Sequence, residues 1–298
     1  MSTGGPEQEG SIPGLSPEEA ATLAGQYGLE QVGIRPKLGE YIKDVWRHRS
    51  FLLTMSSADF VARHQQNYLG QIWSVLNPLL LGAAYYIVFG RILNVRRGTG
   101  DDYVPFLMIG LFSFIFIAAG MNHGAKALIG NMNVVRALRF PRVVLPISVV
   151  MTELFAAAPA FLVAAIIAAI SGQGVTWSWL LYPAAIFIVF IMTTGIAMIS
   201  AAFVYRVRDA ANLTPLITRM LRYISGVFFS VTAYTSGIAG FVMEYQPVAV
   251  ALTMLRQTLL EALDPTWTVW LTSIGWAIGL FVVGFIVFWR AEATYGRQ

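Results

Sequence analysis

Long apolar runs dominate the pattern along this chain. Stretches near 20 residues with few charges fall at 74–93, 104–121, 144–170, 179–204, 216–238 and 269–288. At ~1.5 Å per residue, about 20 helical residues cross a ~30 Å hydrocarbon core. The pattern therefore predicts an all-α integral membrane protein with six transmembrane helices. No repeat relates its two halves.

Two further segments are amphipathic and too polar to span. The first covers 35–73. Ile42, Val45, Trp46 and Leu53 recur at helical spacing against Lys43, Asp44, Arg47 and His48. Ser56 with Asp59 reads as a capping box that restarts the helix, and Val61, Tyr68, Leu69 and Ile72 continue the apolar face. A basic amphipathic helix before a span is expected to lie in the membrane interface. The second segment covers about 236–263. Val248, Leu252, Leu255 and Leu259 form a stripe opposite Arg256, Gln257 and Glu261. It predicts a surface or re-entrant helix pair at the outer face, turned at Gly237 and Gly240.

Charge gives the expected orientation. Arg35, Lys37, Lys43, Arg47, Arg49 and Arg63 precede the first span. Lys126, Arg136, Arg139 and Arg142 lie between the second and third. Arg206, Arg208, Arg219 and Arg222 follow the fourth, and Arg290 and Arg297 follow the sixth. The opposite side receives Arg91, Arg96, Arg97 and Arg256. The positive-inside rule places both termini in the cytoplasm. Trp177, Trp179, Trp267 and Trp270 fall at outer ends of spans, and Trp46, Trp73 and Trp289 at inner ends, as interfacial rings should. Residues 1–34 carry five glutamates and no Lys or Arg, and read as a disordered acidic tail rather than a signal peptide.

Composition narrows the function classes. The chain has 298 residues, 56% hydrophobic and 12% charged, with mean hydropathy +0.63. Cysteine is absent, which removes thiol and zinc-thiolate chemistry. No GxxxxGK[ST] phosphate loop, HExxH or GxSxG motif occurs. His48, His64 and His123 are scattered and read as interface residues. Asp101 and Asp102 read as a solvated loop rather than a metal site. Glu153 is the clearest ionisable residue inside a span, with Arg142 or Arg222 as its expected neutraliser. No catalytic residue, metal or nucleic-acid site is expected. A driven transporter without its own coupling site implies a partner that supplies energy.

Four short motifs then resemble one family. Arg63-His64-Gln65-Gln66-Asn67-Tyr68-Leu69-Gly70-Gln71-Ile72-Trp73, continuing to Pro78, resembles the approach to the first span of ABC-2-type export permeases. Asn131 to Pro146, with Phe140-Pro141-Arg142, is similar to that family's stretch between the second and third spans. Tyr205-Arg206-Val207-Arg208-Asp209 fits the end of its fourth span. Gln246-Pro247 followed by Arg256 is similar to its outer re-entrant segment, with Gln in place of the usual Asn. The resemblance covers about 36–292 and lies nearest the permeases of O-antigen-type and teichoic-acid-type polysaccharide exporters. The acidic tail and Ala-rich spans point within it to an actinobacterial relative, with the lipid-linked galactan of a mycobacterial cell wall as cargo.

The resemblance implies a homodimer of this permease in the bacterial plasma membrane. It also implies two copies of a separate ATPase that holds ATP and magnesium. The cargo would be a polyprenyl-pyrophosphate-linked glycan, and the alternative is a small amphiphile or drug. Arg47, Arg49 and Arg63 would meet the pyrophosphate, with close approach at Leu69 and Gly70. Tyr85, Tyr86 and Phe89 in the first span, and Tyr223, Phe228, Phe229 and Tyr234 in the fifth, are candidates for the sugar path. Packing roles compete for each of them. A coupling loop at about 124–143 would dock the ATPase through a short helix near 130–138. Its candidate residues are Asn131, Asn133, Val134, Val135, Arg136, Arg139, Phe140, Pro141 and Arg142.

Overall fold

The computed structural model describes residues 37–64, 72–92, 103–138, 140–231 and 237–292. The acidic tail, Leu69, Gly70, Asp101, Asp102, Arg96, Arg97, Arg139 and Tyr234 lie outside them. Among the described residues the fold is helical, with no strand. The amphipathic segment forms α1 (Leu38–Arg47) and α2 (Arg49–His64). The first span is α3 (Ile72–Tyr85), which widens into a π-helix over Tyr86–Ile92. α4 (Tyr103–Ala125) follows, then the short α5 (Ala127–Gly130) and α6 (Met132–Ala137). α7 (Val144–Ile170) and α8 (Tyr182–Arg206) form a long antiparallel pair. α9 (Ala210–Ile224), α10 (Gly237–Tyr245), α11 (Pro247–Leu259) and α12 (Trp267–Ala291) complete the bundle.

Among the described residues, five helical segments are long and apolar enough to cross a membrane, and six if the bent pair α10–α11 is taken as one. α4 is the central helix, with 78% of its most apolar window buried, against 17% in α3 and 22% in α12. It packs on α7 and α8, and its far half receives α11. Glycine draws α8 and α12 together. A Cβ on Gly195 would fall within 2.5 Å of the Phe281 backbone nitrogen, and one on Gly284 within 2.7 Å of the Gly195 carbonyl oxygen. Lipid supplies no hydrophobic drive between helices, so such close backbone approach is how they gain packing energy.

The fifth span differs from its expected form. The run 216–238 is not one helix. α9 ends at Ile224, and Ser225–Ser230 is unwound, with Gly226 at φ +68°. Hydropathy alone cannot register such a break, because unwound and helical residues are equally apolar here. The carbonyls it exposes are met from α11. Gln246 donates to the Ile224 oxygen at 2.8 Å. Arg256 donates to the oxygens of Gly226, Val227 and Phe106 at 2.9, 3.0 and 3.1 Å, with its guanidinium 3.5 Å above the Phe106 ring.

Of the two forms expected for this segment, a surface or a re-entrant helix pair, the buried polar face favours the re-entrant one. Arg256 and Gln257 are as buried as the apolar stripe opposite, at 3% and 5% exposure. The polar face turns inward because unwound backbone needs donors there. α10 and α11 meet at 68°. The bend falls at Gln246–Pro247 rather than Gly240, which is buried within α10. Trp276, in the middle of α12, donates to the Tyr245 carbonyl at 2.9 Å.

The expected restart at Ser56 is also absent. The break falls at His48, and Ser56 lies inside continuous α2. Its hydroxyl bonds back to the Leu52 oxygen at 2.7 Å and across to the Ser148 oxygen of α7 at 3.1 Å. A buried serine can serve a neighbouring helix in this way instead of a cap. In α1, Tyr41 is the buried residue, while Ile42 and Trp46 are 52% and 70% exposed, the disposition of a helix lying on lipid.

One carboxylate ties three elements at the basic end of the bundle. Glu292, just beyond α12, accepts from the Tyr41 hydroxyl at 2.8 Å and from the Arg142 backbone N–H at 3.1 Å. The Arg142 guanidinium donates to the Glu292 carbonyl oxygen at 2.8 Å. Burial pushes the Glu292 carboxyl above the usual carboxylate range, against the opposing pull of these bonds.

Two outcomes are expected. Gly195→Val should lower thermal stability in detergent by about 1–3 kcal/mol, because the backbone of α12 cannot give way. The raised Glu292 carboxyl binds a proton more tightly in the folded state than in the unfolded chain. Its contribution to stability therefore falls as pH rises from the ordinary carboxylate value through the raised one. Glu292→Gln should remove that slope in melting curves taken from roughly pH 4 to pH 8 and keep neutral-pH stability at least equal. Loss of several degrees at neutral pH would show that the ionised form holds the contact.

Candidate functional site: a basic cleft at the end of the interfacial helix

α2 is held against α7 along its length. Besides Ser56, the Thr152 hydroxyl donates to the Ser56 oxygen at 3.2 Å, and Phe60 meets Phe155 edge-on at 6.3 Å. An aromatic pair of this kind contributes about 0.5–1.5 kcal/mol beyond its area. These contacts fix the register and bring Arg63, in the last turn of α2, over Glu153 of α7.

Arg63 and His123 converge on the same carboxylate oxygen of Glu153. Arg63 donates through Nη1, and His123 Nδ1 stands 2.7 Å away. The carboxylate is buried, 8% exposed, while the Arg63 and His123 side chains are 43% and 51% exposed. The expectation that Arg142 or Arg222 neutralises Glu153 is therefore wrong. Arg142 is engaged by Glu292, and Arg222 bonds the Tyr85 hydroxyl at 3.3 Å and lies 5.4 Å over Phe114. Depth along single helices misleads here, because the pairing crosses from the interfacial helix to the bundle.

Arg63 and His123 also line an open cleft of about 420 Å³, together with Asp59, Ala62, Lys126 and Asn131. An arginine fork, an imidazole and an ammonium on one wall can receive a phosphate or diphosphate. His123 and Lys126 are not among the residues singled out from sequence. The available signal was the antiparallel hairpin of the second and third spans, which sets the last turn of α4 beside the first third of α7. No group of three or more metal-ligating side chains occurs among the described residues.

Arg47 and Arg49 are not brought to this cleft. Arg49 lies 14 residues before Arg63 on one helix, or ~21 Å at the α-helical rise. It stacks on Trp46 with its guanidinium 5.5 Å from the ring centre.

The candidate sugar-path aromatics do gather, but around a buried centre. Phe228 is 1% exposed. Phe89 stacks on it at 4.7 Å, Tyr85 meets it edge-on at 4.7 Å, and Tyr223 lies at 5.7 Å. Tyr103 donates to the Phe228 carbonyl at 3.0 Å. Tyr86 instead leans on Tyr103 at 6.4 Å. Phe228 is thus the packing centre of the break in the fifth span, while Tyr223, at 52% exposure, presents an open ring. Phe229 lines a separate cavity of about 300 Å³ with Arg256, Ser225 and Thr253.

The loop between α4 and α7 contains the expected short helix, α6. Val135 packs into the core and the Asn131 amide donates to the Ala127 oxygen at 2.9 Å. Val134 is half-buried, and Asn133, Arg136 and Leu138 face outward. Phe140 rests on Phe51 at 5.2 Å, Pro141 is buried, and Arg142 is held by Glu292. The outward face of this loop is therefore α6 rather than its exit.

Comparison with known proteins agrees with this architecture. The signature of the ABC-2 type transporter family matches residues 51–260. The "O-antigen export system permease protein RfbA" of Myxococcus xanthus is 23% identical over 221 residues, covering 74% of this chain and 84% of that protein. A protein of the same description from Klebsiella pneumoniae is 25% identical over 213 residues, covering 70% and 80%. A membrane-spanning helical bundle whose family signature takes in α2 and runs to the end of α11 belongs to the ABC-2 type transporter family.

Proposed function

We propose that this chain is the permease subunit of an ATP-driven exporter of a lipid-linked polysaccharide, with the basic cleft as the place where the lipid's diphosphate first docks. The observation that carries the reading is the convergence of Arg63, His123 and Lys126 in one open cleft at the end of an interfacial helix. A polyprenyl-diphosphate glycan has an apolar tail, an anionic link and a polar polymer. Such a cargo needs a cationic site at headgroup depth, beside lipid, and α1 and α2 supply that setting. The similarity to O-antigen export permeases of Myxococcus and Klebsiella favours this cargo class over a small amphiphile. A cell-wall galactan is the particular glycan we expect.

In this reading both termini, the cleft and α6 face the cytoplasm, following the excess of Lys and Arg at that end. ATP and magnesium sit on a separate ATPase present in two copies. Its groove receives the outward face of α6, where Asn133 and Arg136 stand. A homodimer encloses the conduit, and a chain of sugars slides past open rings such as Tyr223.

Depletion of the protein in its host should make polyprenyl-linked glycan accumulate inside the cell. Complementation with Arg63→Ala should leave export at least about tenfold lower, the scale of a lost charge-assisted contact, at equal abundance in the membrane. Normal export by that variant would remove the cleft from the mechanism. Sensitivity to small amphiphiles without glycan accumulation would favour drug export. Replacing residues 131–136 with an unrelated helical sequence should abolish co-purification of the ATPase. Retained binding and export would place the coupling contact elsewhere.

A further inference from the structure

Two of the cleft's polar groups already have an anionic partner. A single oxygen of the Glu153 carboxylate, behind the lining, holds both Arg63 and His123, which line the cleft. A ligand anion must take these partners from Glu153 or share them with it. Removing them leaves a carboxylate that is 8% exposed without its counter-charges, which is strongly unfavourable. The competition therefore depends on how much charge the ligand brings.

The cleft is lined in part by the last turns of α2, in the segment whose amphipathic pattern suits a membrane interface. Bulk phospholipid with one negative charge is its most abundant potential ligand. A monoanionic headgroup exchanges one negative charge for another at Arg63 and gains little. A diphosphate diester carries two. Its second charge can engage Lys126 on the same wall while Arg63 is shared with Glu153. Asp59, also on that wall, adds to the barrier against weakly charged ligands.

We infer that Glu153 is an internal counter-ion that determines specificity: it keeps monoanionic phospholipid out of the cleft and yields only to a lipid-linked diphosphate. This rests on the reading of the cleft as a diphosphate site. It differs from a purely structural ion pair in one consequence. Removing the Glu153 charge should strengthen ligand binding and weaken discrimination, whereas loss of a structural pair would weaken both.

The test uses the full-length chain in nanodiscs of phosphatidylcholine containing increasing phosphatidylglycerol. A fluorescent polyprenyl-diphosphate-N-acetylglucosamine serves as the probe. The wild-type chain should bind the probe with an affinity nearly independent of phosphatidylglycerol. Glu153→Gln should bind it at least about fivefold more tightly without phosphatidylglycerol and lose that gain as phosphatidylglycerol is added. Glu153→Asp keeps the charge on a shorter arm and should fall between the two, which covers the case in which the glutamine variant does not fold. If Arg63→Ala weakens probe binding while both Glu153 variants match wild type at every lipid composition, the counter-ion role is overturned and the site stands. If Arg63→Ala leaves probe binding intact, the diphosphate reading of the cleft fails first.

Discussion

Within hydrocarbon every backbone polar group must find its partner inside the protein. That constraint explains the costliest residues of this chain. The unwound stretch that follows α9 at Ser225 leaves buried carbonyls in need of donors, so a full arginine is buried to serve them. Arg256 faces three carbonyl oxygens and the Phe106 ring. Gly110 must remain without a side chain, because a Cβ there would strike the guanidinium. The break, the arginine and the glycine on α4 form one device. Phe228, Phe89 and Tyr85 close around it from the other side.

The same constraint acts at the basic end with a different result. Ser56, Ser148 and Thr152 solve their own hydrogen bonding locally and in doing so bind α2 to α7. Glu153 and Glu292 are each met by groups from other elements. Both carboxylates join the interfacial segment to the bundle, Glu153 through Arg63 and Glu292 through Tyr41. The interfacial helices are therefore docked parts of the fold and not a loose anchor. The loop bearing α6 is held at its exit by Arg142, so its outward helix has a fixed base.

Much of this was legible in the sequence. Run length gave five of the six expected spans and helical period the interfacial segment, because both are local signals, while the short helix of the α4–α7 loop came with the family resemblance. Family resemblance gave the transporter class. What escaped was relational. Hydropathy does not distinguish a continuous fifth span from α9 with an unwound end. Periodicity marks Arg256 and Gln257 as polar but cannot say whether polar means solvent or buried carbonyls. Arg63 was identified, yet its partner was sought among the wrong arginines. His123 is isolated in the sequence because the groups it meets in space, Glu153 and Arg63, come from two other helices. Phe228 was read as a lining candidate, and only packing reveals it as a centre.

The contact of α8 with α12 has a mechanical meaning. Gly195 and Gly284 bring two backbones together with almost no side-chain material between them. Long flexible side chains can re-pack when helices slide, but two apposed backbones cannot. These helices form a single rigid beam. α3, by contrast, has little of its surface held by the rest of the chain and ends in a π-helical turn. Any rearrangement of the bundle is therefore cheapest on the side of α3 and the unwound Ser225–Ser230, with the α8–α12 beam as the stationary wall.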